Sequence, residues 1–238
     1  MKTAIIFVLY KTPDSEVDRL RRETRDAGFE EREILFIDNT KENRGYAFGV
    51  NRGVRIAIEK GFSNFVIANP DISLKNIRKA EMLEGSKHFD LWGLAMKMHG
   101  KIYYGGVTDR FKLTAGLNEK SPPQRFTSVP WISGSLFILK KRVIDEIGYF
   151  DESFFMYYED VDYCLRAKKA GFSVGLDSKT VYEHYEVSLS KNGKDRLLAK
   201  AYQLFYKKHA GILQTVYEWI PFFSLNISSL YIKLLNFF

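Results

Sequence analysis

The 238-residue sequence contains one cysteine, Cys164, so no intramolecular disulfide can form, and a cysteine-built zinc site is not expected. Such a chain suits a reducing compartment, and a cytoplasmic location is expected. No apolar run reaches the ~18–20 residues that a bilayer span requires, so no membrane crossing is expected. The short apolar stretch Thr3 to Tyr10 lacks the length and cleavage region of a secretion signal and reads instead as a first strand. Internal repeats and low-complexity tracts are absent. A continuous basic stripe is absent too. The formal net charge is +7, but basic residues such as Lys2, Lys11, Arg19, Arg21, Arg22 and Arg25 are interleaved with acids, so nucleic acid is not an expected partner. The excess charge still suits a phosphorylated small molecule or anionic lipid.

What is present is a hydrophobic fraction of 45% with 15% aromatics, enough for a sizeable core and most simply one domain with appendages. Thr3 to Tyr10 ends at Lys11-Thr12-Pro13-Asp14, where a strand stops and a polar helix, Asp14 to Gly28, starts. Glu33 to Ile37 is a second apolar run closed by Asp38-Asn39-Thr40, and Tyr46 to Lys60 patterns as a helix with Gly61 past its end. Phe65 to Ala68 is a third buried strand, closed by Asn69-Pro70-Asp71. Further strands are expected at Leu91 to Met98, Lys101 to Val107, Trp131 to Leu139 and Phe172 to Leu176, with a loop at Ser121 to Pro130 and helices at Lys141 to Ile147 and Glu159 to Ala170. Alternation of short apolar strands with helices indicates βαβ units and a Rossmann-like, mostly parallel α/β sheet flanked by helices. Ligands of such sheets bind beyond the carboxyl ends of the strands. Lys11, Asp38, Asn39 and the Asn69-Pro70-Asp71 turn should therefore share one rim.

The segment from Phe150 to Asp162 sets five acids among five aromatics just ahead of a helix. At about 100° per residue, Val161, Cys164 and Leu165 form the buried stripe, leaving Asp160 and Asp162 on opposite flanks. Acids in a first helical turn complement the macrodipole, and Asp162 can pair with Arg166 four residues on. A carboxylate against aromatic walls can instead have its pKa raised by desolvation and act as a general base. Asn69-Pro70-Asp71 is a turn by composition, and Asp71 could equally hold a divalent cation beside a diphosphate. His184 lies in a strand-like alternation where a structural, hydrogen-bonded role is as open as a ligand role.

Three motifs, in order, resemble the family 2 glycosyltransferases and their rhamnosyltransferase-like branch. The first is Ile37-Asp38-Asn39-Thr40 with Asn43-Arg44-Gly45-Tyr46-Ala47-Phe48-Gly49-Val50-Asn51-Arg52-Gly53; the second is Ala68-Asn69-Pro70-Asp71. The third runs from Trp131-Ile132-Ser133-Gly134-Ser135 through Gly148 to Asp162 and on to His184. The resemblance implies a GT-A fold over residues 1–190, with a donor half of about 1–88 and an acceptor half of about 89–190, followed by a helical amphipathic tail, 191–238. It implies an inverting glycosyltransferase of the hexosyltransferase class, moving a sugar such as rhamnose from a dTDP- or UDP-sugar to a hydroxyl of a glycan or lipid-linked acceptor in cell-surface polysaccharide synthesis. Asp160 would be the catalytic base. Tyr10, Asp38, Asn43, Gly45, Asn51, Asn69 and Asp71 would line the donor side, and Trp131, Gly134 and Glu159 the acceptor side. Asp71 and His184 would hold Mg²⁺ or Mn²⁺, with Asn69 in place of the first acid of the family's Asp-x-Asp motif. One departure stands out: only Thr40, Lys41 and Glu42 separate Asp38-Asn39 from Asn43, where the family has a further helix and strand, so a sheet one element smaller and a differently built base pocket are expected.

Two other readings compete. A catalytically silent GT-A protein that binds a sugar nucleotide or acts as a scaffold would keep the fold without turnover. A nucleotidyltransferase would want a glycine-rich basic loop after the first strand, which Lys11-Thr12-Pro13-Asp14 does not provide. In the tail, Lys194 to Ala210 patterns as a basic helix with Leu197, Leu198, Ala201, Leu204 and Phe205 on one face. The segment Ile212 to Phe238 is aromatic-rich and carries only Glu218 and Lys233 as charges. Two placements are open to this tail: packing on the domain or in a homodimer, and peripheral binding at the inner face of the cell membrane.

Overall fold

The computed structural model describes residues 2–109, 111–185, 191–212 and 214–216. The chain alternates strand and helix from the start: β1 (Thr3–Leu9), α1 (Asp14–Asp26), β2 (Ile34–Asp38), α2 (Tyr46–Glu59), β3 (Asn64–Ala68) and the short β4 (Ile72–Ser73). After α3 (Lys79–Leu83) come β5 (Leu91–Met98), β6 (Lys101–Tyr103), β7 (Gly106–Thr108), β8 (Ala115–Leu117) and β9 (Phe126–Ser128). The last elements are β10 (Leu136–Lys140), α4 (Lys141–Ile147), α5 (Glu159–Lys169), β11 (Val174–His184) and α6 (Lys191–His209).

The main sheet runs β2-β1-β3-β10-β5-β11-β4, with β6 beside β5 and β9 beside β11. β1 is parallel to both β2 and β3, and β5 is parallel to β11, while β10 is reversed between β3 and β5. This is the expected α/β architecture with a mostly parallel sheet. Every residue of β1 and β3 is buried, which is why these strands are continuous apolar runs rather than alternating ones. One core lies on each face of the sheet. Ile6, Val8 and Ile37 pack with α2 on one side, and Ile5, Phe7 and Val66 with Leu20 of α1 on the other. α2 approaches its face closely, since a β-carbon on Gly49 would lie 2.4 Å from Val8.

The register sets the functional rim. Leu9 pairs with Asp38 and Phe7 with Ala68, so the residues after β1, at the end of β2 and after β3 emerge at one edge, as expected. β2 is the edge strand, and residues 40–45 turn straight into α2.

Four sequence expectations change. The strand expected over Trp131 to Leu139 is only Leu136–Lys140, because its pairing with β3 ends at Leu136 opposite Ala68 and the chain before it turns at Ser133 to Ser135. The strand expected over Lys101 to Val107 is split between β6 and β7 at Tyr104 and Gly105, the latter at φ 70°. The loop from Ser121 to Pro130 contributes β9. The strand expected over Phe172 to Leu176 extends to His184, since the polar stretch Asp177 to Thr180 forms a bulge within it and not a terminating turn. Buried Asp177 holds that bulge by accepting from Arg125 at 3.0 and 2.8 Å.

α5 also departs from a single stripe. Val161 and Cys164 are buried and Leu165 is half-buried, yet Asp162 and Tyr163 are fully buried as well, Asp162 against His209 and Lys208 of α6 and Tyr163 against Phe137 and Phe150. Ala201 and Phe205 of α6 join the α2-side core, so this part of the tail packs on the domain. Residues 217–238, on which the membrane reading of the tail mostly rests, lie outside the described residues. Among the described residues no helix is long and apolar enough to cross a membrane.

Candidate active site

The carboxylate-rich end of α5 is held in a strained approach. Tyr157 and Tyr158 sit at φ 71° and 66°, a left-handed pair that non-glycine residues adopt only when their surroundings enforce it. Here the enforcement is visible on both sides. The Phe155 carbonyl accepts the Tyr46 N–H at 2.7 Å, and Tyr158 is buried with its hydroxyl accepting from the Ala115 N–H at 3.3 Å. α5 then opens with Glu159, Asp160 and Asp162 in its first turn, next to the positive end of the helix dipole.

Asp160 turns toward the loop before β10. Its Oδ2 accepts the Gly134 N–H at 2.8 Å, and its Oδ1 accepts the Val161 N–H at 2.8 Å. Burial raises its pKa to about 6, against these backbone hydrogen bonds, which pull the other way. Glu159 is 5% exposed, and its Oε2 has no hydrogen-bond partner. Burial first, then the charge of Asp160, pushes its pKa well above the ordinary glutamate value. Of the two neighbours Glu159 is the one more disposed to hold a proton, because Asp160 accepts from the Gly134 and Val161 N–H groups besides its own, whereas Glu159 has only its own backbone N–H to favour the ionised form. Asp162 faces away, toward Arg166 and α6, so the two aspartates occupy opposite flanks as expected.

A tyrosine not singled out from sequence completes this side. The Tyr46 hydroxyl donates to the Gly134 carbonyl at 2.7 Å. Burial, then the neighbouring acidic groups of the Glu159–Asp160 pair and Asp71, raises its pKa well above the ordinary value. Tyr182 is raised in the same way, with Asp71 and Asp160 both contributing, and its hydroxyl shares a 2.6 Å hydrogen bond with Ser135. The end of β3 joins the same loop, since Asn69 donates its N–H to the Ser135 carbonyl at 3.0 Å. Asn69, Asp71, Gly134, Glu159 and Asp160 thus form one neighbourhood. Tyr46 opens α2, and its contact spans 88 positions, so no local pattern marks it.

Asp71 sits where β4 meets β11. Its carbonyl accepts the Tyr185 N–H at 2.8 Å, and its Oδ1 lies 3.2 Å from His184 Nε2. Arg19 of α1 clamps this turn from behind by donating to the Ile72 and Pro70 carbonyls at 3.0 and 3.2 Å. Both ring nitrogens of His184 are buried without a hydrogen-bond partner. A buried imidazole with unused nitrogens beside a carboxylate fits a divalent cation that takes its other ligands from a diphosphate and water. Among the described residues no group of three or more acids, histidines or cysteines forms a cation cage.

The other donor-side positions divide into outward and inward. Tyr10 is exposed, as are Asp38 and Asn43, and all three face solvent at the rim. Hydrogen bonds from Thr40 hold Asp38 below the ordinary aspartate pKa, and Thr40 also receives the Lys11 N–H at 3.0 Å, tying the ends of β1 and β2. Gly45 and Asn51 face inward. A β-carbon on Gly45, at φ 97°, would lie 2.4 Å from the Phe155 carbonyl oxygen. The Asn51 amide donates to the Phe150 carbonyl and to Glu152, both at 2.9 Å, and accepts the Phe150 N–H at 3.0 Å. These two residues shape the acid-rich loop, which engages the Asn51 amide through both its nitrogen and its oxygen. On the acceptor side Trp131 is likewise engaged, its indole N–H donating to Val107 at 3.1 Å under the β7–β8 hairpin.

No protein-family model matches the chain. Curated relatives do. The low-salt glycan biosynthesis hexosyltransferase of Haloferax volcanii is 27% identical over 151 residues, covering 60% of this chain and 49% of the relative. The N-acetylglucosaminyl-diphospho-decaprenol L-rhamnosyltransferase of Mycobacterium tuberculosis is 33% identical over 110 residues, covering 44% and 36%. A dTDP-rhamnosyl transferase of Shigella flexneri is 26% identical over 152 residues, covering 59% and 49%. The chain thus spans about half or less of the length of these relatives. Among solved structures, GalNAc-T7 with UDP, GalNAc and Mn²⁺ superposes with a TM-score of 0.59 at 11% identity, covering 87% of this chain and 48% of that one. The resemblance read from the motifs is borne out: the relatives are glycosyltransferases, rhamnosyltransferases among them, and the fold is that of the GT-A glycosyltransferases.

Proposed function

We propose that the chain is an inverting transferase that moves a sugar, rhamnose in the first instance, from a dTDP- or UDP-sugar to a hydroxyl of a glycan or lipid-linked acceptor during cell-surface polysaccharide synthesis. The observation that carries this reading is Asp160, half-buried at the start of α5 with its carboxylate held by the Gly134 and Val161 N–H groups, beside buried Glu159 and in the neighbourhood of Asp71. In this reading residues 1–88 serve the donor and 89–190 the acceptor.

The reaction is a single in-line displacement. The acceptor oxygen forms a bond to the anomeric carbon, the bond from that carbon to the diphosphate breaks, and the nucleoside diphosphate leaves with the electron pair. The acceptor proton passes to Asp160 Oδ1 or Oδ2. With a pKa of about 6, Asp160 is mostly ionised at neutral pH and is a stronger base than an ordinary aspartate. Gly134 keeps its carboxylate oriented, and the neutral Glu159 can donate a hydrogen bond to an acceptor hydroxyl without repelling the Asp160 charge. Asp71 and His184 would hold Mg²⁺ or Mn²⁺, whose chemistry is to neutralise the departing diphosphate. Asp38 and Tyr10, exposed at the rim, would meet the nucleoside of the donor.

The names of the relatives support dTDP-rhamnose as the first donor and a diphospho-polyprenol saccharide as the first acceptor to try. The test is incubation with dTDP-, UDP- and GDP-sugars and such an acceptor, with and without Mn²⁺. Release of nucleoside diphosphate with an inverted anomeric centre is expected. Release of pyrophosphate would point to nucleotidyl transfer, and donor binding without turnover to a silent sugar-nucleotide-binding protein.

A further inference from the structure

Asp162 lies two residues beyond Asp160 and is fully buried, yet four polar contacts converge on it. Its Oδ2 accepts from Arg166 Nε at 2.9 Å, while its Oδ1 meets His209 Nε2 at 2.7 Å and Lys208 Nζ at 2.9 Å. Its own N–H donates to the Tyr158 carbonyl at 2.8 Å. Lys208 does more than neutralise it. The same ammonium donates to Asp151 Oδ2 at 2.5 Å and lies 5.6 Å over the ring of Phe154. Asp151 and Asp162 are the two ends of the segment that contains the left-handed Tyr157–Tyr158 pair, Glu159 and Asp160. One side chain from α6 therefore closes that segment on itself.

Apolar packing does not do this alone. A cavity of about 140 Å³ remains between the segment and α6, lined by Phe154, Phe155, Met156, Leu197 and Leu204 among others. With the apolar contact incomplete, the charged contacts at the far end of α6 decide how the segment sits. The His209–Asp162 contact is shielded, with side-chain exposures of 5% and 0%, whereas Lys208 and Asp151 are 29% and 30% exposed.

We propose that Lys208 and His209 of α6 are positioning residues for Asp160, acting through Asp151 and Asp162 to hold the strained segment so that Asp160 meets Gly134 as an oriented carboxylate. The proposal rests on Asp160 being the base. It makes the helix after the sheet part of the transfer machinery and not an appendage. The charged and titratable groups that face Asp162 are Arg166 from α5 and Lys208 and His209 from α6. Asp151 shares Lys208, and Glu159 and Asp160 lie one turn away on the same helix. Loss of the Lys208 cation leaves more net negative charge beside Asp160 and loosens its donor, and both effects favour the protonated carboxyl.

The test compares the full chain with Lys208→Met, Lys208→Arg and His209→Gln, using steady-state transfer and a carbon-13 NMR titration of the Asp160 carboxyl assigned with Asp160→Asn. Lys208→Met is expected to lower kcat about tenfold with donor KM within about twofold. It is also expected to raise the Asp160 midpoint by about half a pH unit or more, with Lys208→Arg returning both toward wild type. His209→Gln, which keeps a donor in reach, remains measurable if Lys208→Met does not fold, and is expected to move the same two quantities by less. An unchanged Asp160 midpoint and unchanged kcat in folded Lys208→Met, or in folded His209→Gln should Lys208→Met not fold, would overturn the positioning role. Full activity of Asp160→Asn would instead remove the base reading, and the titration alone would then decide whether α6 sets the Asp160 carboxyl.

Discussion

Gly134 donates its N–H to Asp160 Oδ2 at 2.8 Å, across 26 positions of sequence. The absence of a side chain at Gly134 leaves the carboxylate reachable: even a β-carbon there would come within 3.5 Å of Asp160 and 3.6 Å of Glu159. The same peptide is pinned from the other side by Tyr46. A carboxylate oriented by backbone, in a site where burial favours its neutral form, is the arrangement a general base requires.

Replacing Asp160 by Asn keeps the shape and an acceptor oxygen for Gly134 but removes the basicity. Transfer is expected to fall by ~10²–10⁴ while donor affinity is retained. Initial rates and calorimetric donor titration check this; transfer within about tenfold of wild type would take Asp160 out of the base role.

The pH profile should carry the same signature. Burial raises Asp160 from its ordinary value to about 6, so the base is lost by protonation as pH falls through that value. The acid limb of kcat/KM is expected near pH 6, whereas an unperturbed aspartate would place it near ~4. A limb at the lower position would show that desolvation does not tune this group.

Asp71→Ala and His184→Ala each remove one of the two neighbouring side chains at the β4–β11 junction that we propose would hold the cation. Both are expected to weaken Mn²⁺-dependent donor binding, by about tenfold or more, with little effect on acceptor KM. Titration of dTDP and UDP with and without Mn²⁺ decides it. For either nucleotide, equal affinities with and without Mn²⁺ in wild type and both variants would remove the cation from this site.

Gly45→Ala tests the joint between α2 and the acid-rich loop. The new β-carbon would meet the Phe155 carbonyl at 2.4 Å in a backbone conformation that L-residues resist. A stability loss of about 1–3 kcal/mol is expected from urea unfolding. A loss below ~0.5 kcal/mol would mean the loop yields without penalty.

For the tail, the expectation rests on composition alone. Trp219, Phe222 and Phe223 lie in a segment outside the described residues. Replacing all three by Ser in the full chain is expected to reduce sedimentation with anionic liposomes while leaving donor binding intact. Equal sedimentation would count against a membrane role, and conversion of a dimer to a monomer would favour self-association.

Much of the fold was legible because its determinants are local. β1 and β3 are buried on both faces and therefore read as unbroken apolar runs, and Pro13, Asp14 and Gly61 punctuate them within a few residues. The rim followed from direction alone, since parallel strands deliver their C-terminal ends to one edge. β11 was misread because Asp177 to Thr180 has turn composition, and only the distant Arg125 lets that stretch remain in a strand. For Asn51 and Gly45 the motif is local but the contacts with the acid-rich loop are not, because what stands opposite an amide is set by the fold.

By itself the sequence determined the strand and helix order, the acids at the start of α5, the polar turn after β3 and the glycosyltransferase resemblance, all of which depend on neighbours in the chain. Which acid is charged was decided only by tertiary structure. Asp160 and Glu159 are adjacent and chemically alike, and they separate because Gly134 reaches one and not the other. The same holds for Asp162, which two residues of α6, 46 and 47 positions away, turn from a surface helix acid into a buried, paired one. Desolvation and hydrogen bonding act through space over a few ångströms, and only folding brings those partners together.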